Sequence, residues 1–372
     1  MKGLHALILL ACLVAFAYPT YAQEGDDAPI IPYYRDLAWS PDGTQLAFTI
    51  INDLDMTVAV YDFTTATLTP LTDRLPGTQD NPVWSPDSQR LAISVHPEYD
   101  PEDEDAEWSS DIWLMNRDGS DAAPLPDAPA DYDLYPLEFS PDGTTLVVIG
   151  YYDDYENEIY KSALWLHAVG GVLWNQIEFP DGDEVFGLTF SPDGTHIAAM
   201  ATSADYAFER IWIGDVSGQS ISKLREVFRV EYGLDNLAWS QDGRQLLFTQ
   251  GYDEDFTIMD IETRAATTLN QFVVGFAYEP RWSPDNTRIA FSMPVSRTGT
   301  YYKLWLVNPD GTKAVTLAGS VSGDHSQITW SPDSTRIAFV ADEWTAEYDF
   351  LSSNLWVINT NGANLTNLTN PR

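Results

Sequence analysis

The feature that most constrains this chain is a thirteen-residue pattern that recurs seven times. It reads LAWSPDGTQLAFT at 37–49, PVWSPDSQRLAIS at 82–94, LEFSPDGTTLVVI at 137–149 and LTFSPDGTHIAAM at 188–200. It returns as LAWSQDGRQLLFT at 237–249, PRWSPDNTRIAFS at 280–292 and ITWSPDSTRIAFV at 328–340. The aromatic anchors Trp39, Trp84, Phe139, Phe190, Trp239, Trp282 and Trp330 stand 43 to 55 residues apart. That period holds four short strands, the size of one propeller blade. The sequence therefore predicts an all-β fold, a seven-bladed β-propeller of four-stranded antiparallel blades.

The chemistry of the pattern agrees. Proline presets the first corner of a type I turn, and Asp42, Asp87, Asp142, Asp193, Asp242, Asp285 and Asp333 can bond back to the chain. Glycine then takes the left-handed position; Ser88, Asn286 and Ser334 stand in its place in three copies, so those turns are expected to carry strain. The apolar run that follows, such as Leu46-Ala47-Phe48, suits a strand buried on both faces. A third strand follows in each unit, as at 111–116, 303–308 and 354–359, and a short fourth closes it, as at 68–72, 314–317 and 365–369. With 42 residues after Trp330, each unit is expected to run complete from inner to outer strand. The ring would close by packing the first blade on the last.

Ahead of the repeats, Met1-Lys2, the apolar run from Ala6 to Ala17 and the small-residue exit Thr20-Tyr21-Ala22 read as a signal peptide over 1–22. An uncleaved anchor is one alternative. A lipoprotein cut before Cys12, in Leu9-Leu10-Ala11-Cys12, is another, though the apolar run continues past it. Residues 23–372 would then be a single propeller domain, periplasmic or secreted, with no later span. Cys12 is the only cysteine, so the mature chain would hold no disulfide and rely on its core.

The formal charge of −37 and pI near 4.1 repel nucleic acid and anionic lipid. They suit a basic partner, a divalent cation or a salty habitat.

The Trp-Ser-Pro-Asp-Gly-x-x-Ile-Ala-Phe pattern with a later Leu-Trp-x-x-Asn strand resembles the propeller repeat of the TolB family, across essentially all of the mature chain. That resemblance implies a propeller in a bacterial envelope. TolB itself has six blades behind an α/β domain that engages the Tol machinery. Seven units without that domain do not carry the Tol role over. The Gly-His and Trp-Asp signature of WD-repeat propellers is absent as well.

If strands alternate in direction, the Ser-Pro-Asp-Gly turns share one face, and the longer second-to-third connections and inter-blade links share the other. The longer connections carry aromatics among carboxylates: Tyr99 and Trp108, Tyr132 and Tyr135, Tyr151, Tyr152 and Tyr155, Tyr252, Trp344 and Tyr348. Rigid aromatics give contact area and acids give steering. The expected role is a monomeric, non-catalytic scaffold for an envelope or extracellular protein, possessing basic groups. The alternatives are a carbohydrate or small-ligand binder, or a metal-dependent lyase or hydrolase.

Signals for catalysis are sparse, and no enzyme activity is expected. There is no G-x-S-x-G elbow and no mature thiol. His96, His167, His196 and His325 form no zinc-type pair, and strand order puts His96 and His325 on the long-loop face, the others nearer the opposite one. Uronate lyases with seven blades hold a metal on histidines in the channel, an arrangement this one resembles poorly. No cofactor is expected; calcium is the one cation the acidic stretches suit, with Asp103, Asp105, Asp153 and Asp154 as candidates, although neither stretch matches an EF-hand loop. The repeat tryptophans read as inter-blade core and the repeat aspartates as turn-formers. The sequons at Asn364 and Asn367 fall in an outer strand and are not expected to be modified.

Overall fold

Every copy of the repeat folds as a β-hairpin, held by its own serine and aspartate. The Ser40 amide donates to the Gln45 carbonyl (2.9 Å) and the Gly43 amide to the Ser40 carbonyl (2.8 Å). Asp42 Oδ1 accepts from the Ser40 hydroxyl (2.6 Å) and the Thr44 amide (3.0 Å). The serine–aspartate bond recurs in the other six copies at 2.6 or 2.7 Å. At Asp193 the Ser191 hydroxyl, with the Thr195 amide and hydroxyl, holds the carboxyl down to about 2.

The computed structural model describes residues 31–53, 55–97, 109–154, 159–251, 255–269, 277–296, 301–345 and 350–370. Their strands form seven four-stranded antiparallel sheets, each in simple sequential order. The blades span 33–70, 78–124, 133–177, 184–230, 235–269, 278–316 and 324–367. The first strands of successive blades touch one another around a closed ring, Tyr33–Trp39 of blade one meeting Asp324–Trp330 of blade seven. The chain is thus a seven-bladed β-propeller. No helix among the described residues is long and apolar enough to cross a membrane. The expected signal peptide, 1–22, lies outside the described residues.

The core lies between blades. At the seam, Trp39, Leu46, Phe48 and Ala59 of blade one pack on Ala338, Val340, Leu355 and Val357 of blade seven. Phe48, Phe248, Phe291 and Phe339 are fully buried, each worth about 1.5–3 kcal/mol of transfer free energy. The anchor aromatics are buried too, and three indoles cross to the preceding blade: Trp84 donates to the Ala38 carbonyl (3.0 Å), Trp239 to Thr189 (3.2 Å) and Trp330 to Arg281 (3.1 Å). Across the seam the Arg336 guanidinium lies 4.6 Å over the Trp39 ring and donates to the Gly43 carbonyl (3.0 Å).

Ser88, Asn286 and Ser334 do stand left-handed, each at φ 59°, where glycine would be free of cost. Each offsets its strain by reaching the previous blade. Ser88 Oγ accepts from the Asp42 amide (2.9 Å), Asn286 Oδ1 from Gln241 (2.6 Å) and Ser334 Oγ from Asp285 (3.1 Å).

The innermost strands all carry a register shift, with Asp36, Asn81, Asn236, Glu279 and Gln327 at positive φ. Such a bulge leaves ladder groups unpaired. Side chains of neighbouring blades take them up. Gln327 Oε1 accepts from the Asp36 amide (2.9 Å), Asp36 Oδ2 from Asn81 (3.5 Å), Glu279 Oε2 from Ile328 (3.0 Å) and Glu138 from Phe190. These latches put carboxyl groups on the inner wall.

Two outer hairpins run further than the sequence suggested. Thr145–Asp154 pairs with Ile159–Ala168, and Arg336–Trp344 with Phe350–Asn359. Tyr151, Tyr152 and Trp344 therefore belong to strands, where aromatic residues fit the pleat, and not to loops.

Candidate functional site

The mouth on the long-loop side is shaped first by close backbone approach. Gly77 has φ 65°, and a Cβ there would lie 1.8 Å from the His96 carbonyl oxygen. Only glycine lets the link into blade two pass so near the end of strand Arg90–His96. Beside it lies an open polar hollow of about 220 Å³, lined by Asp55, Thr57, Thr72, Asp73 and Gln79.

His96 Nε2 sits 3.2 Å from Asp80 Oδ1, and both side chains are largely buried. Burial pulls the imidazole down, but Asp80 and the nearby Asp133 carboxylate more than offset it, and the net is upward. Asp36, the neighbouring latch, accepts the Thr49 hydroxyl at 2.8 Å. Burial first, then the charge of Asp80, pushes it up to about 6. Blades one and two thus hold two carboxyl groups and an imidazole side by side.

Blade three adds rings. Tyr135 lies 5.8 Å from the His96 ring and 6.0 Å from Tyr151, while Tyr132 lies 5.9 Å from Tyr152 and 4.8 Å from Trp165. Four tyrosines singled out in the sequence are so brought into two pairs, Tyr135 with Tyr151 and Tyr132 with Tyr152, Tyr132 packing in a different core cluster from the first pair. The Tyr151 hydroxyl is buried without a hydrogen-bond partner among the described residues, and burial pushes its pKa up. Trp344 stands apart on blade seven, 5.1 Å from Phe350, whose ring stacks 4.0 Å from Tyr33. Tyr99, Trp108, Tyr155, Tyr252 and Tyr348, with Asp103 and Asp105, lie outside the described residues. Asp153 and Asp154 end the strand Thr145–Asp154, their side chains not described.

The acids that sequence reading missed are those of the inner wall and its rim. Burial pushes Asp342 up to about 6, and it also raises Asp235, Glu279, Asp324, Glu184 and Glu209. Glu138, between blades three and four, goes to about 8 for the same reason. The signal was available: three residues before five of the seven anchors stand Asp36, Asn81, Asn236, Glu279 and Gln327, polar residues in the innermost strands. Arg35 offsets part of the rise at Asp36 and Asp342, and Arg281 part of that at Asp235 and Glu279. Lys303 is tied to the carbonyls of Val321 and Gly323, both at 2.7 Å.

The other histidines serve structure. His325, on the long-loop side, is buried; its Nδ1 accepts from the Leu304 amide (3.1 Å), which leaves Nε2–H for the Val321 carbonyl (3.2 Å). Burial and Lys303 take it down to about 3. His167 is buried on Trp174 (4.5 Å), and His196 stands 3.6 Å from Asp215 toward the opposite face. Among the described residues no three histidine, cysteine or acidic groups gather around one point as metal ligands would.

No family model and no curated protein matches the chain. Solved structures do match in fold. A puromycin hydrolase superposes at TM-score 0.67 and 14% identity, over 90% of this chain and 53% of that one. The acylaminoacyl peptidase of Pyrococcus horikoshii gives 0.64 and 13%, over 91% and 53%. An oligogalacturonate lyase in complex with manganese gives 0.62 and 16%, over 84% and 87%. The chain spans about half the length of the puromycin hydrolase and of the acylaminoacyl peptidase, and most of the lyase. At these identities the likeness establishes the propeller fold. It also corrects one expectation: a chain of this shape was not expected to be an enzyme, and the propellers it shares its structure with belong to enzymes.

Proposed function

We propose that the protein is an exported recognition propeller whose long-loop mouth takes a basic ligand, a lysine- or arginine-bearing segment of an envelope or extracellular protein. One observation carries this reading. Carboxyl groups crowd the inner wall and rim, and burial raises their pKa values, to about 6 at Asp36 and Asp342, with Arg35 offsetting only part of the rise. A buried carboxylate is costly, and a further cation supplied by a ligand would relieve that cost. The overall charge of −37 adds long-range steering. The signal-like N-terminus and the TolB-like repeat support the envelope setting, and calcium is the competing cation.

The test is a capture of partners from the source envelope fraction by the protein and by its Asp36→Asn/Asp80→Asn variant, with and without calcium. A basic protein retained by the first and lost by the second supports the proposal. Equal capture by both would contradict it.

The near full-length likeness to the lyase favours a second reading, acid–base chemistry on a carbohydrate at the same mouth. Asp80–His96 would then be the proton-handling pair. The acidic field favours a neutral or amino sugar over a uronate. Turnover of such an oligosaccharide, abolished by His96→Ala with Tm retained, would establish it; absence of turnover across neutral and amino sugars would dismiss it.

A further inference from the structure

Next to blade two and its Asp80–His96 pair, blades seven and one present an aromatic strip that the basic-ligand reading does not yet use. Phe350 lies between Tyr33, stacked at 4.0 Å and 17°, and Trp344, edge-on at 5.1 Å. Tyr301 of blade six extends the row, its hydroxyl 3.5 Å from the Trp344 carbonyl. Leu351, the next residue after Phe350 in its strand, and Val295 of blade six are 50% and 53% exposed. These rings and side chains form an apolar surface at the edge of an acidic mouth.

The setting is rigid and net negative, its three acids Asp342, Glu343 and Asp324 facing Arg35 and Lys303. Gly323 has φ 84°, and a Cβ there would lie 2.4 Å from the Asp342 carbonyl oxygen, so the strand bearing Asp342, Glu343 and Trp344 is pressed against the start of blade seven. Glu343 is fixed by the hydroxyls of Ser322 and Ser352, the latter at 3.1 Å. Asp324 faces the same end, its Oδ1 accepting from the Tyr302 amide at 2.7 Å.

The protein's own contacts show which cation its aromatic surfaces accept. Arg336 lies 4.6 Å over both Trp39 and Phe63, Arg210 4.6 Å and Arg229 4.1 Å over Phe208. Lys303 approaches Tyr301 only to 5.6 Å and spends its hydrogen bonds on carbonyls. A planar guanidinium can stack flat on a ring while its edge meets a carboxylate in a bidentate fork, a geometry that a compact, strongly hydrated ammonium does not match.

We propose that the Tyr33–Phe350–Trp344 strip, edged by Asp342 and Glu343, is an arginine-reading subsite for a basic peptide segment of a partner protein. Charge complementarity selects the occupant, and the planar rings select arginine over lysine. The inference rests on the basic-ligand reading above and makes it specific.

The experiment titrates the purified protein with hexa-arginine, hexa-lysine and hexa-glutamine peptides and with a neutral oligosaccharide, reading heat and tryptophan fluorescence. Hexa-arginine is expected to bind about tenfold more tightly than hexa-lysine. In Trp344→Leu and Phe350→Leu, which keep apolar bulk, that preference is expected to fall to about twofold while hexa-lysine binding holds. Circular dichroism and Tm show that both variants fold. Equal affinities for the two basic peptides, or a preference untouched by both variants, would overturn the subsite and leave the basic-ligand reading standing. Failure of both basic peptides to bind would overturn both. Oligosaccharide binding lost in Trp344→Leu would assign the strip to sugars instead.

Discussion

His96 Nε2 lies 3.2 Å from Asp80 Oδ1, at the place where Gly77 lets the link into blade two press against the end of its second strand. The folded imidazole titrates above its ordinary 6.5. A raised histidine contributes stability that is fully present below about 6.5 and lost as pH rises through the folded value. The Tm difference between the protein and His96→Gln should therefore be largest near pH 5–6 and shrink on going to pH 8. A difference that grew with pH would show that the ion pair is absent.

Asp36 works in the other direction. Its carboxyl is pushed from 3.8 up to about 6, so the folded state binds the proton more tightly and stability falls as pH rises between those values. Asp36→Asn should stabilise the protein at pH 8 by up to about 3 kcal/mol, an effect that fades near pH 4. Urea unfolding at the two pH values measures it. A substitution that stabilises while weakening ligand binding would mark Asp36 as a group kept for function.

Glu138 links blades three and four by accepting from the Phe190 amide and the Thr189 hydroxyl. Its pKa of about 8 means that it is protonated at neutral pH. Glu138→Gln is expected to be nearly neutral at pH 6 and stabilising at pH 9. Glu138→Leu strands the Phe190 amide and should cost about 1–3 kcal/mol at pH 6, a cost that shrinks at pH 9 where the native carboxylate is itself penalised by burial.

Ser88 tests how the ring tolerates departures from its repeat. Ser88→Ala keeps the left-handed backbone and loses the acceptor for the Asp42 amide, for an expected loss of about 1–2 kcal/mol. Ser88→Gly loses the same bond but relieves the strain and should stay within about 0.5 kcal/mol. Equal losses in both would mean that strain plays no part there.

These residues also show what could be read from the sequence. The propeller was legible because each Ser-Pro-Asp-Gly turn is specified within a few residues, by bonds such as Ser40 to Asp42, and then repeated. The latches were not legible in the same way. Asp36 and Glu279 occupy the position where Asn236 and Gln327 also stand, but their burial depends on the adjoining blades. Tyr132, Tyr135, Tyr151 and Tyr152 were visible as aromatics among acids, yet their pairing follows from a hairpin that extends through Asp154. The strip of Tyr33, Phe350 and Trp344 needs the ring to close, since Tyr33 opens the first blade and the others belong to the last.

The account's central claim is that the mouth is a site for a positive ligand. Its most direct measurement is the affinity of the protein for hexa-arginine across salt concentrations from about 20 to 500 mM, where the Debye length shrinks severalfold. The account predicts measurable binding at low salt, a steep decline as salt rises, and a shallower slope with weaker binding in Asp36→Asn/Asp80→Asn. Binding that is absent at low salt, or that ignores both salt and the two substitutions, would contradict it.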